Sequence, residues 1–156
     1  MTYTTHTAIG AFLGARMVHP VIGFFLGMAL HFLVDMVPHG DCGMVAKYHH
    51  GCRRDKKEWL SFLAFDAVVA TGVGIFLLRH DVYQHQGVFL ATIIGSVLPD
   101  ILVGLSEVLP KKVLVAYERF HFFFHDFFVK RIGDLKFRYA LLYQAILVAV
   151  LVNLMV

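Results

Sequence analysis

The stretch PVIGFFLGMALHFLVDMVPHGD, residues 20–41, decides the fold. Its proline stands where a missing N–H is tolerated, in the first turn of a helix. Apolar residues then continue to Val37, and Pro38 ends or kinks the helix. Gly23 and Gly27 have the small-xxx-small spacing that lets helix backbones approach closely. Into this apolar run are set His31, Asp35 and His39, spaced i, i+4, i+8 and so aligned on one face of a continuous helix; Asp41 follows. Ionisable groups in such a setting are costly unless something holds them.

The rest of the chain repeats the combination. Of 156 residues, 58% are hydrophobic and only 16% are Asp, Glu, Lys or Arg, yet ten are His; the mean hydropathy is +0.69. These values exclude disorder, a collagen-like chain and a disulfide scaffold, and they make membrane burial the default over a water-soluble domain. The length suits a single membrane domain, residues 1–156. Residues 1–5 carry no Lys or Arg, so the basic start of a cleavable signal peptide is missing.

Six helical segments are expected, over about 6–18, 20–37, 59–78, 87–109, 111–131 and 137–156. The fold class is all-α: a polytopic helix bundle of about five transmembrane segments plus one interfacial or packed helix. That helix is 111–131, which holds ERFHFFFHDFFVKR. The first segment is short for a span and is either crossing or re-entrant. Residues 40–58 form the one long polar loop. With that loop in the cytoplasm, alternation places Lys47, Arg53, Arg54, Lys56 and Lys57 inside, together with Lys111, Lys112, Arg119, Lys130, Arg131, Lys136 and Arg138. Only Arg16 and Arg79 fall outside, the bias that positive charge imposes on orientation. The expected product is an integral protein of a bacterial-type inner or plasma membrane, with the N-terminus inside and the C-terminus outside. A net charge of +3 disposed in this way calls for no nucleic-acid partner; the partners expected are membrane lipids.

A faint repeat relates 5–41 to 65–102. His6…Gly14…Val37-Pro38-His39 parallels Asp66…Gly74…Leu98-Pro99-Asp100, and membrane sites often form where such halves meet near broken helices. Counting rise per residue from the inner ends, His6, His31, Asp35, His39, Asp66, Asp100, His121 and His125 can all meet in the inner half of the bilayer. A mixed His and Asp set suits Zn²⁺ first, then Mn²⁺ or Fe²⁺, with one or two ions. His19, His80 and His85 fall at outer ends and read as interfacial. A rival zinc set, Cys42, His49, His50 and Cys52, lies in the loop without the CxxC spacing of structural sites, and a solvated loop is the simpler reading there. The Phe-rich run 120–128 reads as core or membrane contact, or as the lining of a lipid-chain pocket.

Thr5-His6-Thr7-Ala8-Ile9-Gly10 and Leu98-Pro99-Asp100 resemble the N-terminal (G/T)HxxxG and the LPD of the YdjM-type family of inner-membrane metal-dependent hydrolases. The stretch His31-Phe-Leu-Val-Asp35-Met-Val-Pro38-His39-Gly-Asp41 is similar to an HxxxDxxPHxD block of small bacterial membrane proteins that also carry an LPD. The chain departs from the family's LPDxDH, with Leu102 and Val103 at the last two positions, and from its HRGxTHS, replaced by His121-Phe-Phe-Phe-His125. The resemblance implies His6, Asp100, His121 and His125 as shared ligands.

The function expected is a membrane-embedded metal-dependent hydrolase. It would act from the cytoplasmic side on a phosphoester or other ester, lipid-linked in view of the site's depth, with Asp35, between two His, as general base. The alternatives are a metal-binding membrane scaffold, a purely structural polar network, or a metal or proton transporter. A transporter needs polar residues continuing to the far face.

Overall fold

The computed structural model describes residues 1–40, 56–106, 109 and 114–156. Among the described residues there are seven helices and no strand: α1 (Tyr3–Gly14), α2 (Pro20–Asp35), α3 (Lys56–Arg79), α4 (Gln86–Ser106), α5 (Val115–His125), α6 (Val129–Ile132) and α7 (Phe137–Asn153). Thr2 caps α1, its hydroxyl accepting from the Thr5 N–H. Extended backbone at His19, φ −123° and ψ 121°, delivers Pro20 to the first turn of α2.

One expectation is corrected. The segment expected as one helix over 111–131 is divided: α5 stops at His125, Asp126 sits outside helical geometry at φ −88° and ψ 1°, and the chain turns before α6. The Phe127 N–H turns to the Phe124 carbonyl at 3.0 Å, a tighter i, i+3 turn, and the Asp126 carboxylate takes hydrogen bonds from the side chains of His125 and Lys130. The spans emerge in part: among the described residues, Leu60–Arg79 of α3 and all of α4 are long and apolar enough to cross a membrane, while α2 and α7 are apolar but shorter. At a rise of ~1.5 Å per residue, the twelve residues of α1 reach about 18 Å, short of a ~30 Å hydrocarbon core.

α4 is the axis of the bundle, with α2 packed along it most extensively and α1 next; α1 also meets α3 and α7. Glycine makes these contacts possible. A Cβ on Gly10 would stand 2.9 Å from Ser96 Cβ, and one on Gly14 2.9 Å from Phe89 Cα. On α2, a Cβ on Gly23 would strike the Thr92 hydroxyl, and one on Gly27 the Thr92 carbonyl. In return, Gly95 of α4 sits against the Phe24 carbonyl. Both small-xxx-small pairs read from the sequence thus face the same neighbour.

The interior is polar and the exterior apolar. The buried hydrophobic residues among those described are Ala8, Ala11, Ala70, Leu77, Val88, Phe89 and Ala140, most of them alanine. The buried polar residues outnumber them and include five His, two Asp, Thr92, Ser96 and Gln144. Large side chains instead face outward, among them Phe25 (61% exposed), Phe65 (67%) and Val68 (71%). This arrangement reverses that of a domain folded in water. One end of the bundle is closed by Ala11, Leu77 and Phe89, with Val73, Tyr83, Ile93 and Val152 packed around them.

The glycine contacts give a direct test. Gly95→Ala drives a methyl into the Phe24 backbone and should cost ~1–3 kcal/mol, the range of overpacked cores. The measurement is the thermal midpoint of detergent-purified protein. Gly72→Ala, with nothing within 4 Å of its Cβ, is the matched control and should hold or raise the midpoint. Equal midpoints for the two variants would contradict the close α2–α4 approach.

Candidate metal centre

Four elements bring their ionisable groups to one place. α2 carries His31 and Asp35 one turn apart, both buried. α1 brings His6, whose Nε2 lies 3.1 Å from Asp35 Oδ1 and 3.6 Å from Asp100 Oδ2. α4 brings Asp100, which follows Pro99 and lies 3.7 Å from His31 Nε2 through Oδ1. His31 Nε2 is 3.3 Å from Asp35 Oδ2. One ligand atom from each of His6, His31, Asp35 and Asp100 lies within 4.8 Å of the other three, so the group could hold a metal ion. From α5, His121 adds an Nε2 at 3.7 Å from Asp35 Oδ2 and 3.6 Å from Asp100 Oδ1.

The chemistry of the donors fits a cation. His31 Nδ1 donates to the Ser96 carbonyl at 2.9 Å, which leaves the Nε2 lone pair turned toward the carboxylates. Such a carbonyl behind a His is the usual orienting partner of a metal ligand. Both His31 Nε2 and Asp35 Oδ2 are buried without a hydrogen-bond partner, as are His6 Nδ1 and His121 Nδ1. An orphaned buried carboxylate oxygen costs free energy that a bound cation would offset. The Met1 α-amino group donates to the other oxygen, Asp35 Oδ1, at 2.6 Å.

Ser96 positions two of these side chains at once. Its carbonyl holds the His31 ring, and its hydroxyl donates to the His6 carbonyl at 2.9 Å. Pro99 lacks the N–H that a helix would return to Gly95, and the Tyr117 hydroxyl donates to the Pro99 carbonyl at 2.8 Å, tying α5 to α4 beside Asp100. Ser106 and Glu118 make a second α4–α5 hydrogen bond.

Two other predicted residues form a separate pair. His39 Nε2 and His125 Nε2 are 3.1 Å apart, with His39 beyond the end of α2 and His125 closing α5. Gly40, at φ +83°, donates to Asp134 Oδ1 at 2.8 Å and fits tightly against Phe137 and Ala140, which fixes the backbone beside His39. The hydrogen bond from His125, with another from Lys130, holds the Asp126 carboxyl below the usual carboxylate range.

Asp66, expected in the main cluster, lies apart from it. Its carboxylate accepts from the Tyr3 N–H at 2.5 Å and the Thr4 hydroxyl at 2.6 Å, so it caps the start of α1 from a neighbouring helix. Gln144 assists from α7, accepting from the Thr2 N–H at 2.9 Å. Asp41 and the loop set Cys42, His49, His50 and Cys52 lie outside the described residues. His19, His80 and His85 are exposed near helix ends. Sequence reasoning missed Ser96 and Gln144. A polar residue in an otherwise apolar helix was the available signal for both.

A cleft of about 100 Å³ opens beside the cluster. Asp100, His39, His121 and His125 line it together with Phe62, Leu63, Phe122 and Phe137. No family model, characterised protein or solved structure matches this chain.

The separation of Asp66 from the cluster is testable. Asp66→Ala uncaps α1 and should lower stability by ~0.5–2 kcal/mol, the scale of a lost cap. It should leave bound metal, measured by elemental analysis, in place. Loss of metal without loss of stability would put Asp66 back among the ligands.

Proposed function

We propose that the chain is a polytopic membrane protein of about five spans that uses its buried His/Asp centre to hydrolyse a phosphoester or other ester of a lipid-like substrate. The convergence of His6, His31, Asp35 and Asp100, with His31 Nε2 and Asp35 Oδ2 left without hydrogen bonds, is the observation that carries this reading. The apolar exterior supports the membrane setting. The basic residues of 40–58 and 110–138 favour a cytoplasmic face for the site, with the C-terminus outside.

A mixed imidazole and carboxylate set suits Zn²⁺, then Mn²⁺ or Fe²⁺. A bound ion of this kind polarises an ester or phosphoryl oxygen and acidifies a water. The chain's own groups do the rest. His6, His31 and Asp35, fully enclosed, serve as fixed donors. Asp100, 17% exposed and lining the cleft, would hold the ion through one carboxylate oxygen and offer the other to the proton of an incoming water, a position the enclosed Asp35 lacks. This moves the general-base role expected of Asp35 to Asp100. His121, also on the cleft, can hydrogen-bond the leaving oxygen. The aromatic wall of Phe62, Phe122 and Phe137 suits the apolar part of an amphipathic substrate.

A hydrolase is favoured over a transporter by the other end of the bundle. The cluster around Ala11, Leu77 and Phe89 is apolar, whereas a conduction path needs polar groups continuing across.

The test is elemental analysis of detergent-purified wild type beside Asp35→Ala and Asp100→Ala, followed by phosphate release from a panel of phospholipids. Wild type should retain a divalent transition metal through chelator-free purification, and both variants should lose most of it. Absence of metal from wild type would overturn the metal reading. Metal without turnover on any ester would leave a scaffold in place of the enzyme.

A further inference from the structure

Tyr3, the first residue of α1, spans the cleft beside the candidate metal centre. Its N–H donates to the Asp66 carboxylate of α3 at 2.5 Å, and its ring reaches across to α4, where the hydroxyl meets the Asp100 carbonyl at 3.5 Å. Other interior hydroxyls make closer contacts. Thr92 donates to the Val88 carbonyl at 2.8 Å, Ser96 to the His6 carbonyl at 2.9 Å and Tyr117 to the Pro99 carbonyl at 2.8 Å. Two tyrosines thus approach neighbouring carbonyls of α4 with different results. Tyr117 closes a full hydrogen bond, whereas Tyr3, on the cleft wall, stands at the outer limit of one. A phenol keeps its proton at neutral pH, so the Tyr3 O–H remains a donor that a better acceptor can engage. Gly104 leaves the space for such an acceptor: a Cβ there would point at the hydroxyl, 3.6 Å away, with Leu63 Cδ2 next at 3.9 Å. Asp100 presents its carbonyl to Tyr3 and its carboxylate to His6 and His31, so the donor and the candidate centre meet at one residue.

We propose that the Tyr3 hydroxyl binds a negatively charged oxygen of the substrate in the cleft space beside Gly104, either a phosphoryl oxygen or the oxygen of a carboxylic ester as it gains charge. The role deepens the hydrolase reading and rests on it for turnover, though not for binding. Tyr3 donates a hydrogen bond and keeps its proton, and no bond to it forms or breaks. A charged acceptor makes such a bond roughly twice as strong as a neutral one does, so the O–H leaves its long contact with the Asp100 carbonyl for the ligand. Asp66 keeps the donor in place: with the Tyr3 N–H held to α3, the start of the ring is fixed before the ligand arrives. A donor set in position before charge develops needs no reorganisation when it does, which is why oxyanion donors of this kind accelerate acyl and phosphoryl transfer.

The experiment titrates inorganic phosphate, and separately acetate, into the full chain purified in detergent, before and after loading with Zn²⁺ and desalting. Thermal midpoint, gel filtration and zinc content are measured for every variant. Wild type should bind at least one of the anions. Tyr3→Phe retains the ring and should keep midpoint and zinc, while weakening that anion about 10–100-fold, the scale of one hydrogen bond to a charged group. Gly104→Leu, which fills the space at the hydroxyl, should weaken it as much with zinc retained, and it decides the point should Tyr3→Phe lose its midpoint. On an ester that wild type hydrolyses, Tyr3→Phe should lower kcat by about 10²–10³-fold. Tyr3-dependent anion binding without turnover of any ester would uphold the donor and overturn the hydrolase. Tyr3-dependent binding in protein that holds no zinc would uphold the donor and overturn the metal centre. Wild type that binds neither anion, or Tyr3→Phe that binds as tightly as wild type, would overturn the donor whatever the metal content.

Discussion

The close contact of three helix backbones is the constraint on which the rest of the structure depends. Gly10 and Gly14 of α1 and Gly23 and Gly27 of α2 all press on α4 between Phe89 and Ser96, and Gly95 answers from α4. With side chains there, the helices would stand farther apart. The Ser96 hydroxyl would then not reach the His6 carbonyl, nor would His31 reach the Ser96 carbonyl. Dispersion between closely packed backbones, with these few hydrogen bonds, takes over the task that large apolar side chains perform in a water-soluble core. Large apolar residues are consequently free to occupy the outer surface, where Phe25, Phe65 and Val68 lie.

The polar interior follows from the same geometry. α1, α2 and α4 each contribute a candidate ligand about one turn from a glycine contact: His6 before Gly10, His31 after Gly27, Asp100 after Gly95. The ligands therefore converge at one end of the contact, while the apolar cluster around Phe89 and Leu77 forms at the other. α1 needs additional support because it is only twelve residues long and its N–H groups start among buried carboxylates. Asp66 and Gln144, from α3 and α7, accept those donors.

Much of this was legible in the sequence, because helical periodicity acts locally. The i, i+4 relation of His31 and Asp35, the small-xxx-small pairs and the Pro before Asp100 are each visible within one helix. What lay beyond reach depends on contacts between helices. The sequence shows Asp66 as a mid-helix carboxylate like Asp35. Only packing shows that it meets the N–H groups of α1. The division of 111–131 was also hidden, since a Phe-rich run reads as helical until the backbone is seen to tighten into a turn at Asp126. Depth counting placed His39 and His125 with the other candidates, but not the pairing of their nitrogens. The five-span count relied on hydropathy, and among the described residues helix length supports two such spans directly.

The glycine contacts also bear on which ions can enter. Backbones already touching cannot move closer, and the hydrogen bonds through Ser96 resist their moving apart, so the donor atoms around Asp35 have little freedom to change spacing. Ca²⁺ asks for six to eight oxygens at ~2.3–2.6 Å in an adaptable shell. An ion held by His6, His31, Asp35 and Asp100 would meet two imidazole nitrogens and two carboxylates at nearly fixed spacing, a poor match to such a shell. Discrimination against the larger and more abundant ion would then be a mechanical property of residues such as Gly27 and Gly95, which never touch the metal.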